Sequence, residues 1–152
     1  MASQVIALRG TPIVDEQLTA SAVFTPGDLI EVDTGQWRRH ANAGLNASPI
    51  FALERDELGE GIGLGTASAV DYAASDRVKA GFFAPGMRVN AFIPSGQNVS
   101  IGDYLESAGD GTLRALVTDA ATDDTQRESV VAQAAEASGA VLVKTRVKVW
   151  IV

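Results

Sequence analysis

Chemistry, if this chain performs any, has few places to sit. Four carboxylates, Glu54, Asp56, Glu57 and Glu60, crowd into "SPIFALERDELGEGI" (48–62), between an apolar run and a glycine-rich stretch. Grouped carboxylates can coordinate calcium or hydrolyse glycosides as an acid–base pair. This group lacks the spacing of a calcium loop, so a solvated turn is the expectation, and the same holds for Asp123 and Asp124. The glycines of "GEGIGLGTA" (59–67) suggest a dinucleotide loop, but the pattern fails: counted from Gly59 it meets Leu64, and counted from Gly61 it meets Thr66. No Gly-Lys-Ser/Thr of a phosphate loop is present. His40, in "GQWRRHANAGLN" (35–46), is the one histidine and hence the one imidazole base. Its neighbours Arg38 and Arg39 would not orient it toward a nucleophile, so a turn or interface histidine is expected. Cysteine is absent, which removes disulfides, thiolate ligands and thiol nucleophiles. The expectation is no catalytic residues, no cofactor and no metal.

Those residues would be carried by strands. Short apolar segments punctuated by Gly, Pro, Asp and Ser recur in "TPGDLIEVD" (25–33), "SDRVKAGFF" (75–83), "PGMRVNAFI" (85–93), "NVSIGDYLES" (98–107) and "GDGTLRALV" (109–117). Met87, Val89, Ala91 and Ile93 alternate with Arg88, Asn90 and Phe92, the period of a strand with one buried face. "AVLVKTRVKVWIV" (140–152) continues the pattern: Val141, Val143, Thr145, Val147, Val149 and Ile151 share one face, and Leu142, Lys144, Arg146, Lys148 and Trp150 the other. In "SPIFALERDELGEGI" a buried strand (Ile50, Ala52 and Leu53) precedes a charged turn, Arg55 to Glu57. "DDTQRESVVAQAAEASG" (123–139) is open between helix and strand, with strand favoured. The expected fold is all-β, a small sandwich or jelly-roll-like barrel. A single β-rich domain would span 24–152, preceded by an extended segment, 1–23, that is either an arm or an edge strand.

Composition narrows the partners. A net charge of −7 argues against a phosphate backbone, and no apolar run is long enough to span a bilayer. Neither nucleic acid nor membrane is expected. "MASQVIALRG" (1–10) shows no signal-peptide pattern and reads as a cytosolic start. The candidate interface residues are Arg9, the cluster Trp37, Arg38 and Arg39, and the basic strip Lys144, Arg146 and Lys148. Trp and Arg are over-represented in binding hot spots. The strip would either be solvated, deterring aggregation at an edge, or dock on an acidic partner. "VDYAAS" (70–75) lacks the nucleoside loop of the trimeric dUTP pyrophosphatases, and a terminal strand stands where their glycine-rich arm would be.

The stretches "TPGDLIEVDTG", "RRHANAGLNASPIFALERDELGEGI", "DYAASDRVKAGFFAPGMRVNAFIPSGQNVSIGDYLESAGDGTLRALV" and "VKTRVKVWIV" follow one another in an order that resembles the capsid cement, or head decoration, proteins of tailed bacteriophages. The resemblance runs from about residue 5 to the end. It implies a protein made in the host cytoplasm that binds the outer surface of an expanded head and bridges neighbouring major capsid proteins. It further implies a homo-oligomer, a trimer more readily than a dimer, with no enzymatic role. The alternative is a carbohydrate- or receptor-binding β-domain of a phage tail or fibre.

Overall fold

The computed structural model describes residues 6–55, 70–117 and 129–152. Among them every regular element is a β-strand, and every strand pairing is antiparallel. The main sheet runs β1 (Ala7–Arg9), β7 (Arg88–Ile93), β13 (Thr145–Ile151), β11 (Val130–Ala134), β9 (Tyr104–Ser107), β10 (Leu113–Ala115). A second sheet runs β2 (Ile13–Asp15), β6 (Ala80–Phe82), β5 (Ile50–Ala52). Beside them lie the hairpin of β3 (Ile30–Asp33) with β4 (Gln36–Arg39) and the small pair β8 (Asn98–Val99) with β12 (Gly139–Ala140). The sheets do not close on themselves, so the architecture is an open sandwich rather than a barrel.

The period-two pattern places the main sheet. Val89 and Ala91 of β7 stand opposite Val149 and Val147 of β13, and all four are buried. β13 is shorter than its apolar pattern: it starts at Thr145, and Leu142 and Val143 lie exposed in a bend. "VVAQA" is strand β11, paired with β13 on one side and β9 on the other, and residues 123–128 lie outside the described part.

The second sheet is covered on both faces. Phe51, Leu53 and Phe83 join the inner face of the main sheet in one apolar cluster. Ala52 and Ala80, with Ile50 and Phe82 beside them, turn the other way onto Phe24, Trp37 and Tyr72. That is why "PIFAL" and "KAGFF" are continuous apolar runs: a strand with no wet face has no reason to alternate. Phe51 is thus as buried as Ala52. Gly81 leaves room where these strands meet: a Cβ there would press on the Leu53 side chain at 3.0 Å. In "SPIFALERDELGEGI", the turn residues from Asp56 onward lie outside the described part, as do Glu57, Glu60 and the glycines of 59–65.

Of the two alternatives for the N-terminal segment, arm or edge strand, the described residues 6–23 take the second, with β1 and β2 at sheet edges. β1 pairs with β7, β2 pairs with β6, Ile6 is fully buried, and Leu18 and Ala20 belong to the second cluster. The expectation of Trp37 as an interface residue is corrected: it is buried. The hairpin turns at Thr34 and Gly35, both in the left-handed region (φ 49° and 82°), as two-residue hairpin loops require. This lays β4 on the second cluster, where Trp37 is 1% exposed and meets Phe82 edge-on at 6.0 Å. Arg38 and Arg39 follow it in the sequence, but in space it packs into an apolar cluster.

Trp37→Ala should therefore lower unfolding stability by about 3–5 kcal/mol, the range for emptying a large aromatic site in a core. Trp37→Phe should cost far less, since the buried indole Nε1 has no hydrogen-bond partner to lose. Urea denaturation of the two variants measures both.

Candidate functional site

The polar interior decides which charges are left for the surface. Its centre is Asp28, fully buried at the end of the Pro26-Gly27 turn. One carboxylate oxygen accepts from the Thr25 amide and from Arg39 Nε, each at 2.9 Å, and the other accepts from Lys144 Nζ. The backbone around it is equally committed: Gly27 N donates to Ala52 O at 2.7 Å, Ala52 N to Asp28 O at 3.0 Å, and Leu29 N to Gly111 O at 2.7 Å. Gly111 (φ 82°) packs so closely on Arg39 that a Cβ would meet its side chain at 2.9 Å. A second buried carboxylate, Glu106 on β9, accepts from Arg114 across the sheet and from Ser129 Oγ.

Most of the sequence-predicted interface cations are bonded to groups of this chain while their side chains stay partly exposed. Arg39 holds Asp28, and Arg38 pairs with Glu31 and Asp33 on the facing strand at 3.0 and 2.8 Å. Lys144 and Arg146 lie over the Phe92 ring at 4.2 and 4.6 Å; Lys144 reaches Asp28 and Arg146 Nη2 donates to Pro26 O. Burial lowers the Arg146 pKa, with Glu54 and Asp28 opposing the shift. Lys148 is bonded to Glu136. β13 is an interior strand of the main sheet and not an edge, and the cations of the strip Lys144, Arg146 and Lys148 each bond to groups of this chain while Lys144 and Lys148 stay partly exposed.

His40 is buried too, which corrects its reading as a turn or interface residue. Nδ1 lies 2.7 Å from Ser107 Oγ, and Nε2 is 3.2 Å from Asn46 O and 3.6 Å from Glu31. Serine, imidazole and carboxylate in one line resemble a hydrolytic triad, but Ser107 is 0% exposed and its Oγ also accepts from Gly109 N. No substrate carbonyl reaches that oxygen. The group is a strut between the end of β4 and β9. Among the described residues, no group of three or more Asp, Glu or His could hold a metal ion.

What remains outward is a row across the main sheet. Register sets Arg9 opposite Arg88, Arg88 opposite Trp150, Trp150 opposite Gln133, and Gln133 opposite Tyr104. At ~4.8 Å per strand the row spans about 19 Å. Arg9 and Arg88 lie over the Trp150 ring at 5.7 and 4.6 Å, and Gln133 Nε2 donates to Gly102 O at 3.0 Å. Tyr104 and nearby Ile101 are exposed. Of the predicted interface residues, only Arg9 belongs to this row. Arg88 and Trp150 carried a signal, being outward in their strands' alternation, but their adjacency depends on pairing between distant segments. Compared with models of known protein families and with curated proteins, the chain matches none.

Two expectations follow. Asp28→Asn should cost about 3 kcal/mol, the low end for breaking a buried ion pair, because Lys144 and Arg39 can each turn toward water. Lys144→Met should cost clearly less, and urea midpoints of the single and double variants give the coupling. Glu136 supplies a pH dependence. Burial raises its carboxyl, but Lys148, through its ammonium, its amide and its charge, together with the charge of Arg88, outweighs burial and holds the pKa below 4.5. Its stabilising contribution is complete above 4.5 and is lost as pH falls through the lower folded value. Denaturation curves between about pH 3 and pH 7 should show the gap between wild type and Glu136→Gln constant at the upper end and closing at the acid end.

Proposed function

We propose that this chain is a structural docking protein of the capsid cement class, binding the outer surface of an expanded tailed-phage head and bridging neighbouring major capsid proteins. One observation carries the reading. Most of the described cations are bonded to groups of the chain itself, while the outward face of the main sheet carries a cross-strand row of Arg, Trp, Gln and Tyr. Hot-spot residues on an unmoving scaffold suit recognition of another protein. The sequence resemblance to head decoration proteins supports the same reading. In this role the chain performs no chemistry and takes no cofactor. A homo-oligomer, trimer before dimer, would multiply modest contacts by symmetry into firm attachment. Its place is the outside of the virion.

A specific feature favours a second reading, a carbohydrate- or receptor-binding domain of a tail or fibre: Trp150 and Tyr104 stand in one row. The guanidiniums over Trp150 weaken it, since the ring face they cover is closed to a sugar.

Incubating the purified protein with expanded capsids that lack it, then imaging by cryo-electron microscopy, tests the proposal. Extra density at symmetry-related surface positions is the expected result. Bare capsids beside folded protein in excess would reject it, and a glycan screen would then take the second reading.

A further inference from the structure

We infer that Arg9 and Arg88, held over Trp150, form a carboxylate-docking site for an acidic protein surface. The inference rests on the reading of this chain as a docking protein and names the chemistry of the partner.

Two guanidiniums directly opposite each other on paired strands repel, and such pairs destabilise a sheet. The usual remedy is a carboxylate between them, and a chain of net charge −7 has carboxylates in plenty. None is used here. Among the described residues neither arginine makes a hydrogen-bonded ion pair, and Arg88 Nε is buried without a hydrogen-bond partner. Glu136 acts on Arg88 through space, but its carboxylate is bonded to the Lys148 ammonium and amide. Counted over the described residues, Arg9, Arg88 and Lys148 against Glu136 leave two excess positive charges here.

Trp150 supplies the compensation. Cation–π attraction holds both groups over one ring, and a guanidinium stacked in this way keeps N–H edges free for a bidentate carboxylate. Tyr104 and Gln133 extend the contact along the row. The covered ring disfavours a stacked sugar, and the chain's overall negative charge repels a nucleic acid at long range. An acidic protein surface meets neither objection at the site.

The test uses immobilised oligo-glutamate peptide as probe, with surface plasmon resonance at low and high salt. Wild type should bind, more weakly as salt rises. The Arg9→Gln/Arg88→Gln double variant should lose about tenfold or more in affinity, the scale of one interfacial charge pair. Arg77→Gln, which removes an exposed arginine elsewhere, should bind as wild type does. Should the double variant lose its near-ultraviolet circular dichroism, Arg9→Gln alone carries the test, since Arg9 is exposed and its loss relieves repulsion. Failure of wild type to bind oligo-glutamate, or equal binding by wild type and the arginine variants, overturns the inference. Tighter binding of heparin or of a single-stranded oligonucleotide, abolished by the same variants, overturns the choice of partner. Capsid decoration that is indifferent to the variants also overturns this site but leaves the cement reading in place. Oligo-glutamate binding lost in the variants, without any capsid decoration by wild type, does the reverse.

Discussion

A buried carboxylate must be met by positive charge and hydrogen bonds, and Asp28 imposes that demand where three parts of the fold converge. Satisfying it fixes Arg39 at the end of the hairpin, Lys144 at the entry to β13 and the amide of Thr25 in its own turn. The Asp28 backbone meanwhile ties that turn to Ala52 of the second sheet. Apolar packing would hold the layers together without it, but packing is non-directional and would tolerate sliding. Asp28 sets how the layers sit on one another. Glu106 does the same at the far edge, joining β9, β10 and the start of β11 through Arg114 and Ser129.

The all-β character was legible because strands with one wet face alternate, as β7 and the later half of "AVLVKTRVKVWIV" do. The turn residues marked most strand boundaries as well. What the sequence hid was whatever depends on partners far along the chain. Trp37 between Gln36 and Arg38 has the local look of a surface hot spot, and only the packing of β4 on Phe82 puts it inside. Lys144 and Arg146 look like part of an open strip until the turn at 26–28, over a hundred residues earlier in the chain, arrives beneath them. Burial on both faces erased the alternation in "PIFAL", so Phe51 was assigned to neither face. The same blindness to register concealed the row through Arg88 and Trp150. Arg9 stands out in the sequence only as a basic residue near the start, and its place beside Arg88 comes from the pairing of β1 with β7.

The distribution of charge separates two tasks. Cations bonded to carboxylates or carbonyls fasten one layer to another and are spent in doing so. Those over aromatic rings without such bonds are held in place yet remain chemically unsatisfied. Arg9 and Arg88 are of the second kind, and they sit on the one broad sheet face opposite the apolar core. Rigidity matters there, because a side chain already ordered loses little freedom when a partner arrives.

β13 is the last strand in the chain order, yet it lies inside the main sheet, between β7 and β11. On the ribosome both neighbours are made first, so each carries an unpaired edge until β13 follows. Contacts this distant in sequence form slowly, and open edges invite pairing with other chains meanwhile. Insertion of β13 follows the synthesis of both neighbours, and it brings Trp150 to Arg88 in the same stroke. A chain without β13 cannot assemble the outward row, which makes the row itself a marker that β13 has been inserted.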